Sequence, residues 1–265
     1  SKIECNTTQS ISKGKNMKLK LIRNATLRMH YGGHLFIIDP FLAAKHSRDP
    51  FVGKSRNPMV ELPCTPEEAI ADIEMILVSH LHADHFDPAA QELLPKDLPL
   101  FCQPGDGETI IGKGFENVQE IEESVVWNDI TITRRPGQHG TGVWAERMGN
   151  VMGFVLQAED EPTVYWSGDT IWYEPVMQTI ANFQPDGIVT HSCGAEFEEK
   201  SPIVMDAEQT VAVCKAAPQA KVVAVHMDAL DHGVVSRGDL RDYADDAGIS
   251  GEQLLIPDDG DVLTF

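Results

Sequence analysis

The chain has 265 residues, of which 42% are hydrophobic and 23% charged, which is typical of a globular protein and excludes disorder as its dominant state. Its 41 acidic residues outnumber 21 basic ones, and the net charge of −20 disfavours nucleic acids and anionic membranes as partners. No apolar run reaches the length of about 18 residues that crosses a bilayer, so we expect no membrane-spanning segment.

The cysteines are scattered, odd in number and contain no CxxC pair. They are Cys5, Cys64, Cys102, Cys193 and Cys214. A disulfide framework is therefore not expected, and free thiols in a reducing compartment predict a cytoplasmic location.

The first 16 residues are polar and show no periodicity. We expect residues 1–16 to be an N-terminal extension that is disordered or was added to the natural chain, with Met17 as a plausible natural start. They also lack the apolar segment of a signal peptide. The remaining residues 17–265 are predicted to form a single domain, since no linker and no internal repeat interrupts them.

Strand signals come first in chain order. The segment LKLIRNATLRMHYGGHLFIIDP predicts two or three strands around a glycine hairpin turn, and the polar residues 43–65 predict a long surface loop. Thr65 and Glu68 then mark the start of a short helix. The run MILVSH predicts a buried strand, and PAAQELL predicts a second short helix.

The middle of the chain is predicted to be rich in strands, within the segments LPLFCQP, SVVWND, ITITRRP, NVMGFVLQA and TVYWSGD. Strands and helices alternate beyond it. DGIVTH, KVVAVH, QLLIP and VLTF predict strands, while MDAEQTVAVCKAA and SRGDLRDYADDAG predict helices. Antiparallel strands are thus expected first and β-α-β units later, with helices covering the outer faces of the sheets.

Three histidines and an aspartate follow the predicted buried strand in the pattern HxHxDH. Imidazole nitrogens and carboxylate oxygens are good ligands for zinc and related metals. Side chains at alternate positions of an extended chain point the same way, so His80, His82 and Asp84 are expected to converge and leave His85 for a second centre. A chance match is expected in about one chain in a thousand of this composition, so the motif predicts a metal site.

Three further candidates follow predicted strands: His139 in a glycine turn, Asp169 in Ser-Gly-Asp-Thr, and His226 at the end of KVVAVH. Each alone has an ordinary explanation, such as a histidine bonded to backbone or an aspartate in a turn. Together with HxHxDH, they are candidates to complete two metal sites.

The order of these motifs resembles the metallo-β-lactamase-fold hydrolases across residues 17–265. RNATLRMHYGGHLFIIDPFL and SPIVMDAEQT resemble the branch that includes ascorbate-6-phosphate lactonase and N-acyl-phosphatidylethanolamine phospholipase D. Asn24 stands where that branch often has a histidine. The resemblance implies an α/β fold, an αββα four-layer sandwich.

The resemblance also implies two divalent metal ions per chain, with zinc as the expected ion and manganese or iron as alternatives. The first metal would be held by His80, His82 and His139, the second by Asp84, His85 and His226, and Asp169 would bridge them. A bridging hydroxide would be the nucleophile, which makes Asp84 and Asp169 catalytic candidates. His232 is a further catalytic candidate, as a proton donor or substrate contact, with an exposed loop histidine as the alternative.

Other residues near these motifs have weaker signals. His191 and Cys193 follow a predicted strand and either line the pocket or support ligands from behind. Asp39 is expected to support a ligand, and residues 43–65 are a candidate lid.

These patterns predict a metal-dependent hydrolase of a small, anionic ester, lactone or phosphoester. A small molecule is the expected partner, with no nucleic acid and no membrane, and the oligomeric state is left open. The alternatives are a metal-dependent phosphodiesterase or nuclease, and a non-enzymatic metal-binding scaffold. The negative charge disfavours the nuclease, and the complete set of ligand residues disfavours the scaffold.

Overall fold

The computed structural model describes residues 17–197 and 201–265. The extension predicted over residues 1–16 lies outside them, so the domain boundaries stay a prediction. Within the described residues, the chain forms two sheets of seven strands each and seven helices. None of these helices is long and apolar enough to span a membrane.

The first sheet has the strand order β14-β1-β2-β3-β4-β5-β6. Its strands are β1 (Lys18–Arg23), β2 (Thr26–Tyr31), β3 (His34–Ile38), β4 (Met75–Val78), β5 (Leu100–Cys102), β6 (Val118–Glu120) and β14 (Val262–Thr264). Pairing is antiparallel from β14 to β3 and parallel from β3 to β6.

The second sheet has the order β13-β12-β11-β10-β9-β8-β7. Its strands are β7 (Ser124–Trp127), β8 (Ile130–Pro136), β9 (Met152–Gln157), β10 (Val164–Trp166), β11 (Gly187–His191), β12 (Lys221–Val225) and β13 (Leu254–Leu255). Pairing is antiparallel from β7 to β10 and parallel from β10 to β13.

Helices cover the outer face of each sheet, and a hydrophobic core lies between the sheets. The helices are α1 (Pro66–Ile70), α2 (Pro88–Leu93), α3 (Gly107–Ile111), α4 (Val143–Met148), α5 (Glu174–Phe183), α6 (Ala207–Ala216) and α7 (Arg237–Asp246). Residues of α1, α2 and α3 pack on the first sheet, and residues of α5, α6 and α7 pack on the second. The predicted αββα sandwich is confirmed.

The structure differs from the sequence prediction in two respects. Parallel pairing begins early, between β3 and β4, so each sheet has its own antiparallel and parallel parts. Four elements were not predicted, namely α3, β6, α4 and α5.

The topology brings several strand ends to one edge of the sandwich. Strands β8 and β10 are both antiparallel to β9, and β11 and β12 are parallel to β10, so all four end at the same edge. The segment after β4 lies opposite them, in the facing sheet. The carboxyl ends of such strands are where α/β proteins place their ligand sites.

Candidate metal centre

Ligand-type atoms from both sheets meet in two overlapping clusters at this edge. The first cluster contains His80, His82, His139 and Asp169, and the second contains His85, Asp169, His191 and His226. Within each cluster, the ligand atoms lie within 4.8 Å of one another. Asp169 belongs to both clusters, so its carboxylate lies between them.

Each oxygen of Asp169 has histidine neighbours. Its Oδ2 lies 3.1 Å from His85 Nε2, 3.3 Å from His139 Nε2 and 3.7 Å from His80 Nε2. Its Oδ1 lies 3.6 Å from His226 Nε2. Burial raises the pKa of this carboxyl, but the surrounding histidines outweigh burial and hold the pKa well below its usual range. The group is therefore an anion at neutral pH.

Asp84 contacts the second cluster rather than the first. Its Oδ2 lies 3.1 Å from His226 Nε2 and 3.5 Å from His85 Nε2. The extended geometry expected for this segment is interrupted, because the His85 N–H donates to the His82 carbonyl at 2.9 Å and turns the chain. The side chains of His82 and Asp84 consequently face different clusters.

Two of the histidines are held from behind through Nδ1. His85 Nδ1 lies 2.8 Å from Asp39 Oδ2, which agrees with the supporting role expected for that aspartate. Asp39 also accepts the Ser79 N–H at 2.7 Å and the Ser79 hydroxyl at 2.6 Å. The same hydroxyl oxygen lies 3.0 Å from His80 Nδ1. These bonds orient both rings with Nε2 toward the centre.

The histidines of the second sheet are supported in the same way. His139 Nδ1 donates to the Ile203 carbonyl at 2.7 Å, and His226 Nδ1 lies 3.4 Å from Cys193 Sγ. With Nδ1 occupied, each ring presents Nε2 as its ligand atom.

His191 and Asn24 are two further residues that touch the candidate ligands. His191 is fully buried, and its Nδ1 lies 2.5 Å from Asp169 Oδ1. Asn24 Nδ2 donates to the backbone carbonyl of Asp84 at 3.1 Å and lies 3.4 Å from Asp84 Oδ2, while the Asn24 carbonyl accepts the His226 N–H at 2.9 Å. Sequence reasoning left the first of them ambiguous and gave the second no role. The signal available was position alone, since His191 ends a strand at the site edge.

The histidines differ in their readiness to bind protons. Burial lowers the pKa of His80 and lowers that of His139 to about 4, so both rings are neutral at pH 7. Burial acts the same way on His85, but the carboxylates of Asp169, Asp84 and Asp39 outweigh it and raise that pKa to about 10. A cation that binds His85 must therefore displace a proton.

The residues present have the chemistry of a metal site. His80 Nε2 is buried and has no hydrogen-bond partner among the described residues. The Nε2 atoms of His85 and His226 face each other at 3.2 Å, and the carboxylates of Asp84 and Asp169 adjoin them. Converging imidazole nitrogens with carboxylates between them form a donor set suited to zinc and its neighbours.

A cavity of about 220 Å³ opens above the ligand residues. Its outer wall is apolar and includes Phe51, Met148, Phe197 and Ile203. Among the described residues that line it, none is lysine or arginine. The space beside the candidate metals therefore suits an uncharged, apolar group.

His232 also lines this cavity, at the position where the sequence predicted a proton donor or a substrate contact. Its ring centre lies 4.9 Å from that of Phe51 and 5.6 Å from that of Phe197. Burial lowers its pKa, and its Nδ1 has no hydrogen-bond partner in the described part of the chain. The imidazole is therefore neutral and has an unused nitrogen.

The chain is similar to known proteins over most of its length. The sequence profile of the Beta-lactamase superfamily domain matches residues 34–227. The chain is 34% identical to the UPF0173 protein YddR of Bacillus subtilis (strain 168), over 94% of this chain and 100% of that protein.

Two solved structures are similar at comparable identity. A possible metal-dependent hydrolase from Veillonella parvula DSM 2008 is 34% identical, with a TM-score of 0.89 over 95% of this chain and 100% of the other. An isothiocyanate hydrolase from Delia radicum gut bacteria is 35% identical, with a TM-score of 0.88 over 94% of this chain and 99% of the other.

Proposed function

The chain belongs to the β-lactamase superfamily and is a metal-dependent hydrolase, and from that premise we propose that it uses two metal ions to hydrolyse small, uncharged electrophiles with an apolar substituent. Isothiocyanates are the substrate class that we propose. The observation that carries this proposal is the apolar cavity wall directly above the clustered histidines and aspartates. The similar isothiocyanate hydrolase supports it.

We assign the ligands as the sequence predicted them. One ion would be held by His80, His82 and His139 and the other by Asp84, His85 and His226, with Asp169 shared between them. His191 remains a supporting residue in this assignment, because its Nδ1 already contacts Asp169 Oδ1. Seven ligand residues exceed the four that one tetrahedral zinc ion takes, which supports two sites. Zinc is the ion that we propose, since imidazole and carboxylate ligands suit it.

When bound, such a metal pair activates water as the nucleophile and stabilises the charge that develops on the substrate. The net reaction of an isothiocyanate joins one water molecule to the central carbon, breaks the carbon–nitrogen bond and releases a primary amine and carbonyl sulfide. The nitrogen gains two protons. His232 is neutral and lines the cavity, so we propose that it takes up a proton released by the attacking water and passes it to the leaving nitrogen.

The apolar wall distinguishes this proposal from the anionic substrate that the sequence predicted. A phosphoester or carboxylate would lie against Phe51 and Phe197 with no cationic partner among the described lining residues. An isothiocyanate carries no charge, and its substituent would contact the same rings favourably.

The test is a substrate panel on reconstituted protein. Metal-free protein is loaded with zinc, manganese or iron, analysed for metal content, and assayed with benzyl isothiocyanate, a neutral lactone, a phosphomonoester and a phosphodiester. We expect about two ions per chain and the highest kcat/KM for the isothiocyanate. A His232→Gln variant should keep its metal and lose about 10²-fold or more in kcat.

Two results would contradict the proposal. One ion per chain at saturating metal would exclude the dinuclear assignment. Hydrolysis of a phosphoester but not of the isothiocyanate, by protein that holds two ions, would exclude the substrate class and leave the metal site intact.

A further inference from the structure

Asp231 accepts an unusual number of hydrogen bonds from a single loop. The donors are the backbone N–H groups of Phe51, Val52, Lys54 and Ser55 and the side-chain amide of Asn57, at distances from 2.8 to 3.4 Å. The Asp231 N–H in turn donates to Asn57 Oδ1 at 2.9 Å. About 175 residues of sequence separate the two partners, so this is a tertiary contact.

The carboxylate is buried and ionised. Burial raises its pKa, but the bonds from Asn57 and from the loop backbone outweigh burial and lower the pKa below its usual value. A buried anion surrounded by N–H donors is a strong anchor, because losing the donors would leave the charge unpaired.

A backbone pair between Arg48 and Asn57 closes the loop, and within it residues 51–55 depend on the Asp231 side chain. In the described part of the chain, the backbone of residues 51–55 forms no hydrogen bond other than those to Asp231. The Phe51 ring, at the start of this segment, is 40% exposed and therefore gets limited support from packing. Its position in the cavity wall is set by the backbone that Asp231 holds.

The anchor lies next to the site. Asp231 precedes His232, whose ring lies edge-on to Phe51 with centroids 4.9 Å apart. The same two-residue segment thus provides a polar group inside the cavity and the support for the apolar wall facing it.

We infer that Asp231 is a positioning residue that fixes Phe51 in the cavity wall and so makes the site select ligands with an apolar substituent. This role deepens the proposed function and rests on it, because the proposed metal ions define the end of the cavity at which the ligand reacts. The 51–57 loop is therefore predicted to contact the apolar substituent of the ligand, at the end away from the metal ions.

The test compares two chelating ligands that differ only in their apolar part. Acetohydroxamate and benzohydroxamate bind metal through the same hydroxamate group, and the second has a phenyl ring in place of the methyl group of the first. We expect zinc-loaded protein to bind benzohydroxamate more tightly than acetohydroxamate, so the Kd of acetohydroxamate divided by the Kd of benzohydroxamate should exceed one. Asp231→Asn should reduce this Kd ratio by roughly tenfold, because the amide N–H₂ of Asn faces the N–H donors of the loop and releases them. Metal content should stay unchanged.

Hydrogen exchange gives a readout that needs neither metal nor substrate. In Asp231→Asn, the four amides that donate to Asp231, those of Phe51, Val52, Lys54 and Ser55, should exchange at least about tenfold faster than in the parent protein. Asp186→Asn is the control. Asp186 also accepts a backbone N–H, that of Thr163 at 2.8 Å, but it does not line the cavity. It should change neither the exchange of the loop nor the Kd ratio.

A second variant guards against misfolding. Phe51→Ala removes the ring and leaves the anchor, so it should reduce the Kd ratio while the loop amides stay protected. Unchanged exchange in Asp231→Asn would overturn the anchor, and an unchanged Kd ratio in both variants would overturn the selection. If the protein binds no metal, the proposed function fails, and the exchange experiment alone still decides whether Asp231 holds the loop.

Discussion

At the residue scale, the site depends on one carboxylate that two clusters share. Asp169 Oδ2 faces His85, His139 and His80, and Oδ1 faces His226. Two cations can lie close together only when an anion lies between them, which is the role we propose for this side chain.

This role predicts different losses in two variants. Asp169→Asn removes the shared anion, so both sites should weaken together and metal content should fall toward zero at limiting metal. His226→Ala should instead empty mainly the second site and leave about one ion per chain. Metal analysis after dialysis against buffered zinc distinguishes the two. An Asp169→Asn protein that keeps both ions would exclude the bridge.

The raised pKa of His85 predicts how metal loading depends on pH. Asp169, Asp84 and Asp39 raise this pKa to about 10, against the effect of burial, so the metal-free ring carries a proton at pH 7. Metal must displace that proton, so affinity should rise with pH up to about 10 and fall on acidification. Calorimetric titration with zinc in buffers of different ionisation enthalpy measures the proton release. Zinc binding without proton release at pH 7 would contradict the prediction.

At the element scale, local signals predicted the helices whose first turn is capped by a side chain, namely α1, α2, α6 and α7. Thr65 caps α1 as expected, Ser236 caps α7, and both helices have a capping box. No side chain caps α4 or α5; α4 begins at a glycine, and the one start signal of α5 is Pro175 in its first turn. The HxHxDH spacing predicted the cluster after β4. The contact of His191 with Asp169 depends on the pairing of β10 with β11, which no local pattern encodes.

The cap of α7 predicts a loss of stability without a loss of function. Ser236 Oγ accepts the Asp239 N–H at 3.1 Å, and Asp239 Oδ2 accepts the Ser236 N–H at 3.0 Å. Ser236→Ala should lower the free energy of unfolding by about 1 kcal/mol, measured by urea denaturation. Metal content should not change. Ser124→Ala, at an exposed position of β7, is the control and should cost less than about 0.5 kcal/mol.

At the scale of the whole molecule, the candidate ligands come from both sheets. His80, His82, Asp84 and His85 follow β4 of the first sheet, while His139, Asp169 and His226 follow strands of the second. The set is complete only when the two sheets are packed face to face, so metal binds the folded state in preference to the unfolded one.

Metal should therefore raise the melting temperature. At a free zinc concentration a hundred times Kd, the folded state gains about 2.7 kcal/mol, which corresponds to roughly 5–10 °C in a chain of this size. Calorimetry with zinc and with a chelator measures the difference. His226→Ala should reduce the increase, and equal melting temperatures with and without zinc would show that the site does not couple to folding.

Because the candidate ligands are divided between the sheets, the chain is suited to fragment complementation, in which two separate pieces associate to restore one site. A cut at residues 121–123, between β6 and β7, separates the HxHxDH segment from the other candidate ligands. The second fragment still carries β14, which completes the first sheet by pairing with β1. Neither fragment alone can assemble the full ligand set, whereas co-expressed fragments can regain it by association. Metal uptake would then measure how much of the two fragments has associated. If each fragment were fused to a different protein, binding between those two proteins would bring the fragments together and increase metal uptake.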